Sequence, residues 1–239
     1  MASPTVWFVG AGPGDPDLIT IKGNDLLVNA DLLIYAGSLV NPELVERSNA
    51  LVKMDSWGMT VEEMVPLMTK AAFEGRRVVR LHSGDPSLYG SIVEQIDELQ
   101  RNGVSVNIVP GVSSLFAASA ALKTQYTLKG VSDSLIITRP AGQTLEEDDI
   151  AAFSEMGVSM ALFLGTDRLR DVVKKLRCPA DTPAAVVYHA SWPDEKVVVG
   201  TVEDISDRAE EAGISKTALI LIGGFVDPLK RYHRSVLYS

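Results

Sequence analysis

The chain has 239 residues, 46% hydrophobic and 22% charged, enough for one large or two small globular domains with a substantial core. Its 22 basic residues against 31 acidic ones give a net charge of −9, which opposes a general affinity for nucleic acid, and its single cysteine excludes an internal disulfide. The first residues lack the basic start and long apolar stretch of a secretion signal, and no apolar run approaches the ~20 residues that span a bilayer, so a reducing cytoplasm with no membrane partner is expected.

In chain order, the apolar run Val6-Trp7-Phe8-Val9 reads as a strand that ends in Gly10-Ala11-Gly12-Pro13-Gly14-Asp15-Pro16. Closely spaced glycines after a strand let the backbone approach a ligand. A dinucleotide fingerprint needs glycine five positions after the first, where Asp15 stands. It also needs an acidic residue at the end of the second strand, where Gly37-Ser38 follows Leu32-Leu33-Ile34-Tyr35. Nicotinamide binding is therefore disfavoured. Thr20 caps a helix running toward Ala30. Thr60 and Glu63 form a capping box ahead of Val61, Met64, Val65 and Met68 on one helical face, with Pro66 expected to kink that helix and Gly75 to stop it. Arg76–Leu81 reads as a strand, and Ile92, Val93, Ile96 and Leu99 as the buried stripe of a helix ended by Gly103.

Between these two elements lies His82-Ser83-Gly84-Asp85-Pro86-Ser87-Leu88-Tyr89-Gly90, a strand-to-helix turn that offers backbone N–H groups and one carboxylate. A carboxylate there suits ribose hydroxyls or an amino acid's ammonium and repels phosphate, which points to an adenosine ligand without phosphates. Asp85-Pro86 as a plain helix cap is the structural alternative. Val104–Val109 then leads into Pro110-Gly111-Val112-Ser113-Ser114 and an alanine-rich helix, with a domain boundary near Ser114–Ala121. Ser134–Thr138, Ser159–Leu164, Ala184–Tyr188, Lys196–Val202 and Ala218–Val226 follow as strands. Strands alternating with helices predict an α/β fold with a mainly parallel first sheet. Two successive strands without a helix between them predict a mixed second sheet.

The segments G-A-G-P-G-D-P-D-L-I-T, S-G-D-P-S-L-Y-G and P-G-V-S-S, in this order and at strand-length spacing, resemble the tetrapyrrole methylases. That resemblance implies S-adenosylmethionine as methyl donor and two α/β domains, residues 1–116 and 117–239, with a ligand cleft between them. Y-A-G-S-L-V, M-D-S-W-G-M-T and S-L-I-I-T-R-P-A-G look like the precorrin-4 or cobalt-precorrin-4 C11-methyltransferases of that family. Carried onto matching positions, the resemblance implies cofactor contacts at Pro13, Ser83, Gly84, Asp85, Leu88, Ser113, Ser114, Leu164, Ala190 and Ala218. Several relatives have methionine where this chain has Leu164. It further implies a small tetrapyrrole substrate and a homodimer.

The remaining candidates follow from the chemistry of that substrate. Tyr35 and Ser38 at a strand end would line the macrocycle, although core packing competes for Tyr35. Asp55 is the candidate general base, with a solvated turn residue as its plain reading. Many peripheral carboxylates call for local cations, for which Arg139, Lys129 and Arg80 are candidates, while Arg168, Arg170, Lys174 and Lys175 read as an exposed helix face. His82, His189 and His233 are too scattered for a metal site, so no metal is expected, and Cys178 has no identifiable base partner. The alternatives are a methylase acting at another tetrapyrrole carbon or on uroporphyrinogen, and a noncatalytic nucleotide-binding protein.

Overall fold

In the computed structural model, described over residues 3–142 and 145–227, the chain divides into two units, one up to Ser114 and one from Leu115 onward. His233 lies outside the described residues.

The first unit is built on five parallel strands, β1 (Thr5–Gly10), β2 (Leu32–Tyr35), β3 (Val52–Asp55), β4 (Val78–His82) and β5 (Ser105–Val109), in the spatial order β3-β2-β4-β1-β5. The helices between them are α1 (Ile21–Val28), α2 (Pro42–Arg47), α3 (Val61–Phe73) and α4 (Val93–Arg101). Alternation along the strands gives the sheet two apolar faces. Val6, Phe8, Ile34 and Val78 pack under Met64, Val65 and Met68 of α3 and Leu99 of α4. Val9, Leu33, Val79 and Leu81 pack under Leu26 and Leu27 of α1 and Leu44 of α2.

The helix ends follow their caps. Thr20 Oγ1 accepts the Gly23 N–H at 3.1 Å, and Glu63 Oε2 accepts the Thr60 N–H at 2.8 Å, closing the capping box of α3. Helix α3 continues through Pro66 and stops at Gly75, which takes the left-handed conformation with φ 75°. The buried stripe of α4 departs from expectation at one residue. Val93 is 75% exposed, and Gln95 is buried in its place beside Ile92 and Leu99. Positions 92, 95 and 99 share the face toward the sheet, and Val93 is turned about 100° away from position 92.

The second unit carries a mixed sheet in the order β6-β7-β10-β8-β9. Strand β6 (Leu135–Thr138) runs parallel to β7 (Ser159–Leu162). Strand β10 (Ala218–Ile222) is antiparallel to β7 and to β8 (Pro183–Tyr188), and β9 (Lys196–Thr201) is antiparallel to β8. Strands β7 and β10 end earlier than their apolar runs. Leu164 leaves the sheet with φ 55°, and Gly224–Val226 forms a 3₁₀ turn after Gly223. One sheet face packs on α6 (Ile150–Ser154), α7 (Leu169–Lys175) and α8 (Ile205–Glu211), and the other on α5 (Ser114–Ala121), Tyr126 and Phe225. Among the described residues no helix is long and apolar enough to cross a membrane.

Candidate functional site

In the first unit, strands β1 and β4 lie side by side, yet the chain leaves β1 toward β2 on one side and leaves β4 toward β5 on the other. Such a reversal opens a crevice at the carboxyl ends of the strands, where ligands of parallel α/β sheets bind. All three glycine-bearing segments sit there, since they follow β1, β4 and the neighbouring β5.

Backbone bonds fasten these loops together. Ala11 donates its N–H to the His82 carbonyl at 2.7 Å, and Gly12 and Gly84 exchange N–H···O bonds at 3.3 and 2.8 Å. Asp85 joins the second loop to the third. Its Oδ1 accepts the Ser87 N–H at 2.8 Å and its Oδ2 accepts the Gly111 N–H at 2.8 Å. Burial alone would raise the Asp85 pKa, but the bonds from the Ser87 side chain and from the Gly111 and Ser87 amides outweigh it and hold the carboxyl below its ordinary value. Ser113 is buried behind this junction and Pro13 is buried in the first loop, while Leu88 and Ser114 are half-buried.

The loops 10–16, 83–90 and 110–114 contain no lysine or arginine and carry two acids, Asp15 and Asp85. A phosphate group would find no cation here. An adenosyl group linked to an amino acid, with hydroxyls and an ammonium, matches short polar side chains, open backbone and carboxylates far better. This donor set fits S-adenosylmethionine.

At the same sheet edge, β2 and β3 deliver Tyr35, Ser38 and Asp55. Asp55 Oδ1 accepts the N–H groups of Gly37 and Trp57, each at 2.9 Å, which ties the loop after β2 to the loop after β3. A Cβ at Gly37 would overlap the Asp55 carboxylate, so the tie requires glycine there. Ser38 is exposed, and Tyr35 is half-buried against the core beneath α1 and α2, its carbonyl accepting the Ser56 N–H at 2.8 Å.

Two candidates are displaced. Arg80 does not line the surface: it is 5% exposed, with Nε 3.3 Å from Gln95 Oε1, and burial pushes its pKa down to about 10. It sits in the middle of a central strand that is covered on both faces, which is why its guanidinium is enclosed. His82, two residues on, stacks on Phe8 with centroids 5.7 Å apart, and burial, followed by the Arg80 charge, pushes its pKa down to about 3. Its imidazole is neutral at working pH. Lys129 lies in the Leu128–Ser132 turn, where Ser132 Oγ accepts the Ser159 N–H. That is the amino end of β7, whereas Arg139 follows the carboxyl end of β6. The two cations are therefore at opposite ends of the sheet.

In the second unit, Leu164, Ala190 and Ala218 gather at one end of the sheet. Thr166 Oγ1 donates to the Ala218 carbonyl at 2.8 Å, and Ala218 pairs with Tyr188, two residues before Ala190. Leu164 (φ 55°), His189 (φ 46°), Ser191 (φ 70°) and Thr217 (φ 56°) all take left-handed backbone at this end. Such conformations cost of order 1–3 kcal/mol each in non-glycine residues and concentrate where ligands are held. Arg170 is committed to ion pairs with Asp207 and Glu210, Cys178 packs against the core under α7, and no group of three or more metal-ligating side chains occurs among the described residues.

Residues 5–206 match the family of tetrapyrrole (corrin/porphyrin) methylases. The cobalt-precorrin-4 C(11)-methyltransferase of Methanocaldococcus jannaschii is 51% identical over 98% of this chain and 92% of its own length. The solved structure of a cobalt precorrin-4 methyltransferase of cobalamin biosynthesis superposes with a TM-score of 0.91 at 42% identity, covering 94% of this chain and 97% of that one. The uroporphyrin-III C-methyltransferase of Thermus thermophilus, solved with S-adenosylhomocysteine, has a TM-score of 0.78 at 27% identity and covers 93% of each chain.

Proposed function

This chain belongs to the tetrapyrrole methylases, and from that membership we propose that it transfers a methyl group from S-adenosylmethionine to C11 of precorrin-4 or cobalt-precorrin-4 in cobalamin synthesis. The observation that carries the substrate is the 51% identity to a C11-methyltransferase across nearly the whole chain. The absence of lysine and arginine from the three joined loops, with their two carboxylates, supports the methyl donor.

S-adenosylmethionine, when bound, supplies a methyl group on a positively charged sulfur. The protein's task is to align that group with an electron-rich ring carbon and to keep water away, and alignment alone lowers a barrier by up to roughly 7–11 kcal/mol. Pro13, Ser83, Gly84, Asp85, Leu88, Ser113 and Ser114 in the first unit, with Leu164, Ala190 and Ala218 in the second, are the proposed cofactor contacts. Tyr35, Ser38 and Arg139 are the proposed macrocycle contacts. The resemblance also supports a homodimer, and the single cysteine with the lack of a secretion-signal pattern supports a cytoplasmic location, which sedimentation and fractionation would test.

Two macrocycles decide the substrate. Incubation with S-adenosylmethionine and either precorrin-4 or cobalt-precorrin-4 is expected to add one methyl group, read by mass spectrometry. Binding of S-adenosylhomocysteine with no transfer to either would contradict the substrate and leave the methyl-donor site standing.

Asp55 has two possible roles, loop tie and general base, and Asp55→Asn separates them because the amide oxygen keeps both backbone bonds while the charge is lost. The bonding favours the tie. We expect turnover of Asp55→Asn within about threefold of wild type and a fall beyond about tenfold in Asp55→Ala, whereas a loss of roughly 10²-fold in the asparagine variant would assign the base role.

A further inference from the structure

The strained end of the second sheet holds an ordered imidazole that the contacts proposed above do not use. Strand β8 ends on Tyr188, and His189 follows in left-handed backbone, φ 46°, held by bonds on both sides. Its N–H donates to the Thr217 carbonyl at 3.4 Å, and its own carbonyl accepts the Trp192 N–H at 2.9 Å. The ring stacks on Tyr188 with centroids 3.8 Å apart and on Trp192 at 5.2 Å. Nδ1 lies 2.9 and 3.1 Å from the two carboxylate oxygens of Asp194, which the Tyr188 hydroxyl also approaches as a hydrogen-bond donor. The bond from His189 keeps the Asp194 carboxyl below its ordinary pKa.

This arrangement differs from the loop ties elsewhere in the chain. Asp85, Asp148 and Asp204 each accept backbone N–H groups of other residues, which is what pinning a loop requires, and Asp148 and Asp204 also pair with the flexible cations Lys175 and Arg208. Asp194 is directed at an imidazole. Stacking fixes the plane of the ring, and the carboxylate fixes the proton on Nδ1, leaving the Nε2 lone pair with no partner among the described residues on a side chain that is 22% exposed. The other charged groups near it are engaged or set back. Glu195 accepts the Ser191 N–H at 2.7 Å, Lys196 donates to the Ala212 carbonyl at 3.0 Å, and Lys216 precedes Thr217 on the neighbouring turn.

We propose that His189 is the proton acceptor of the methyl-transfer reaction, with Asp194 as its positioning residue. This rests on the methyl-transfer reading. The new bond joins the substrate ring carbon to the methyl carbon, while the methyl–sulfur bond breaks with its electron pair going to sulfur. The macrocycle has then gained one positive charge and must release one proton. Nε2 takes that proton, and the bonding pair stays on the macrocycle.

The test compares wild type with His189→Asn, chosen because asparagine tolerates left-handed backbone, and with Asp194→Asn. S-adenosylhomocysteine affinity is measured by calorimetry and single-turnover methyl transfer is measured across pH. His189→Asn is expected to bind S-adenosylhomocysteine within about threefold of wild type, to transfer methyl roughly 10²-fold more slowly, and to lose the acid limb of the pH–rate profile. Asp194→Asn is expected to be about tenfold slower with a displaced acid limb, and it decides the question if the histidine variant does not fold. A rate in both variants within threefold of an active wild type, or a slowing that only tracks lost cofactor affinity, overturns the proposal. Wild type without turnover on either macrocycle overturns the methyl-transfer reading and this one with it.

Discussion

Gly111→Ala is expected to abolish measurable S-adenosylhomocysteine binding and to lower the stability of the first unit by about 3 kcal/mol, the upper end of overpacking costs. A Cβ on Gly111 would overlap the Gly84 carbonyl oxygen and stand 2.8 Å from Gly10 Cα. Both obstacles are backbone, so no side-chain rotation relieves them. The loops after β1, β4 and β5 would have to separate, and the paired Gly12 and Gly84 bonds that hold the first two loops together would go with them. Calorimetry with S-adenosylhomocysteine and a thermal melt read the two effects together. A variant that melts with wild type and binds within threefold would show that the close approach of these three loops is not what builds the site.

Asp85→Ala is expected to weaken S-adenosylhomocysteine binding by roughly ten- to a hundredfold while leaving the fold intact. The substitution strips the acceptor from the Gly111 and Ser87 amides, each bonded at 2.8 Å, and unsatisfied donors in a half-buried junction cost about 1–3 kcal/mol. The effect carries a pH signature. The folded Asp85 pKa lies below the ordinary 3.8, so its carboxylate stabilises the fold fully above that value and ceases to do so as pH falls through the lower folded one. The stability gap between wild type and Asp85→Ala should therefore be widest near neutrality and close in strong acid. Urea melts at several pH values check this, and a gap that widened on acidification would contradict the assigned bonds.

Much of this architecture is legible in the chain because local chemistry and tertiary position agree. The Thr60–Glu63 capping box, Gly75 and Gly103 mark helix ends that the fold keeps, and the strand readings at 6–9, 32–35 and 104–109 fall on β1, β2 and β5 of the first sheet, with β5 starting one residue later, at Ser105. Strand β3 escapes such reading because Val52-Lys53-Met54-Asp55 is an edge strand, short and largely solvent-exposed, with no apolar run to announce it. Arg80 was open to a different reading: a lone cation inside Val78-Val79-Arg80-Leu81, a run dense enough for a strand buried on both faces, already points inward, and the buried Gln95 fifteen residues on is its partner. The three glycine-bearing segments of the first unit meet at the switch point because each follows a strand of the same parallel sheet. His189 and Asp194 did not announce themselves, because their pairing depends on a tight turn with two left-handed residues and follows neither helical nor strand periodicity.

The proposed activity places the methyl group on one defined carbon of the macrocycle. Carbon-13 NMR of the product formed from S-adenosylmethionine carrying a labelled methyl group, with precorrin-4 and cobalt-precorrin-4 as substrates, identifies that carbon. A single enriched methyl resonance coupled to C11 is expected. A labelled methyl at any other carbon, or a tightly bound donor with no label transferred, would contradict it.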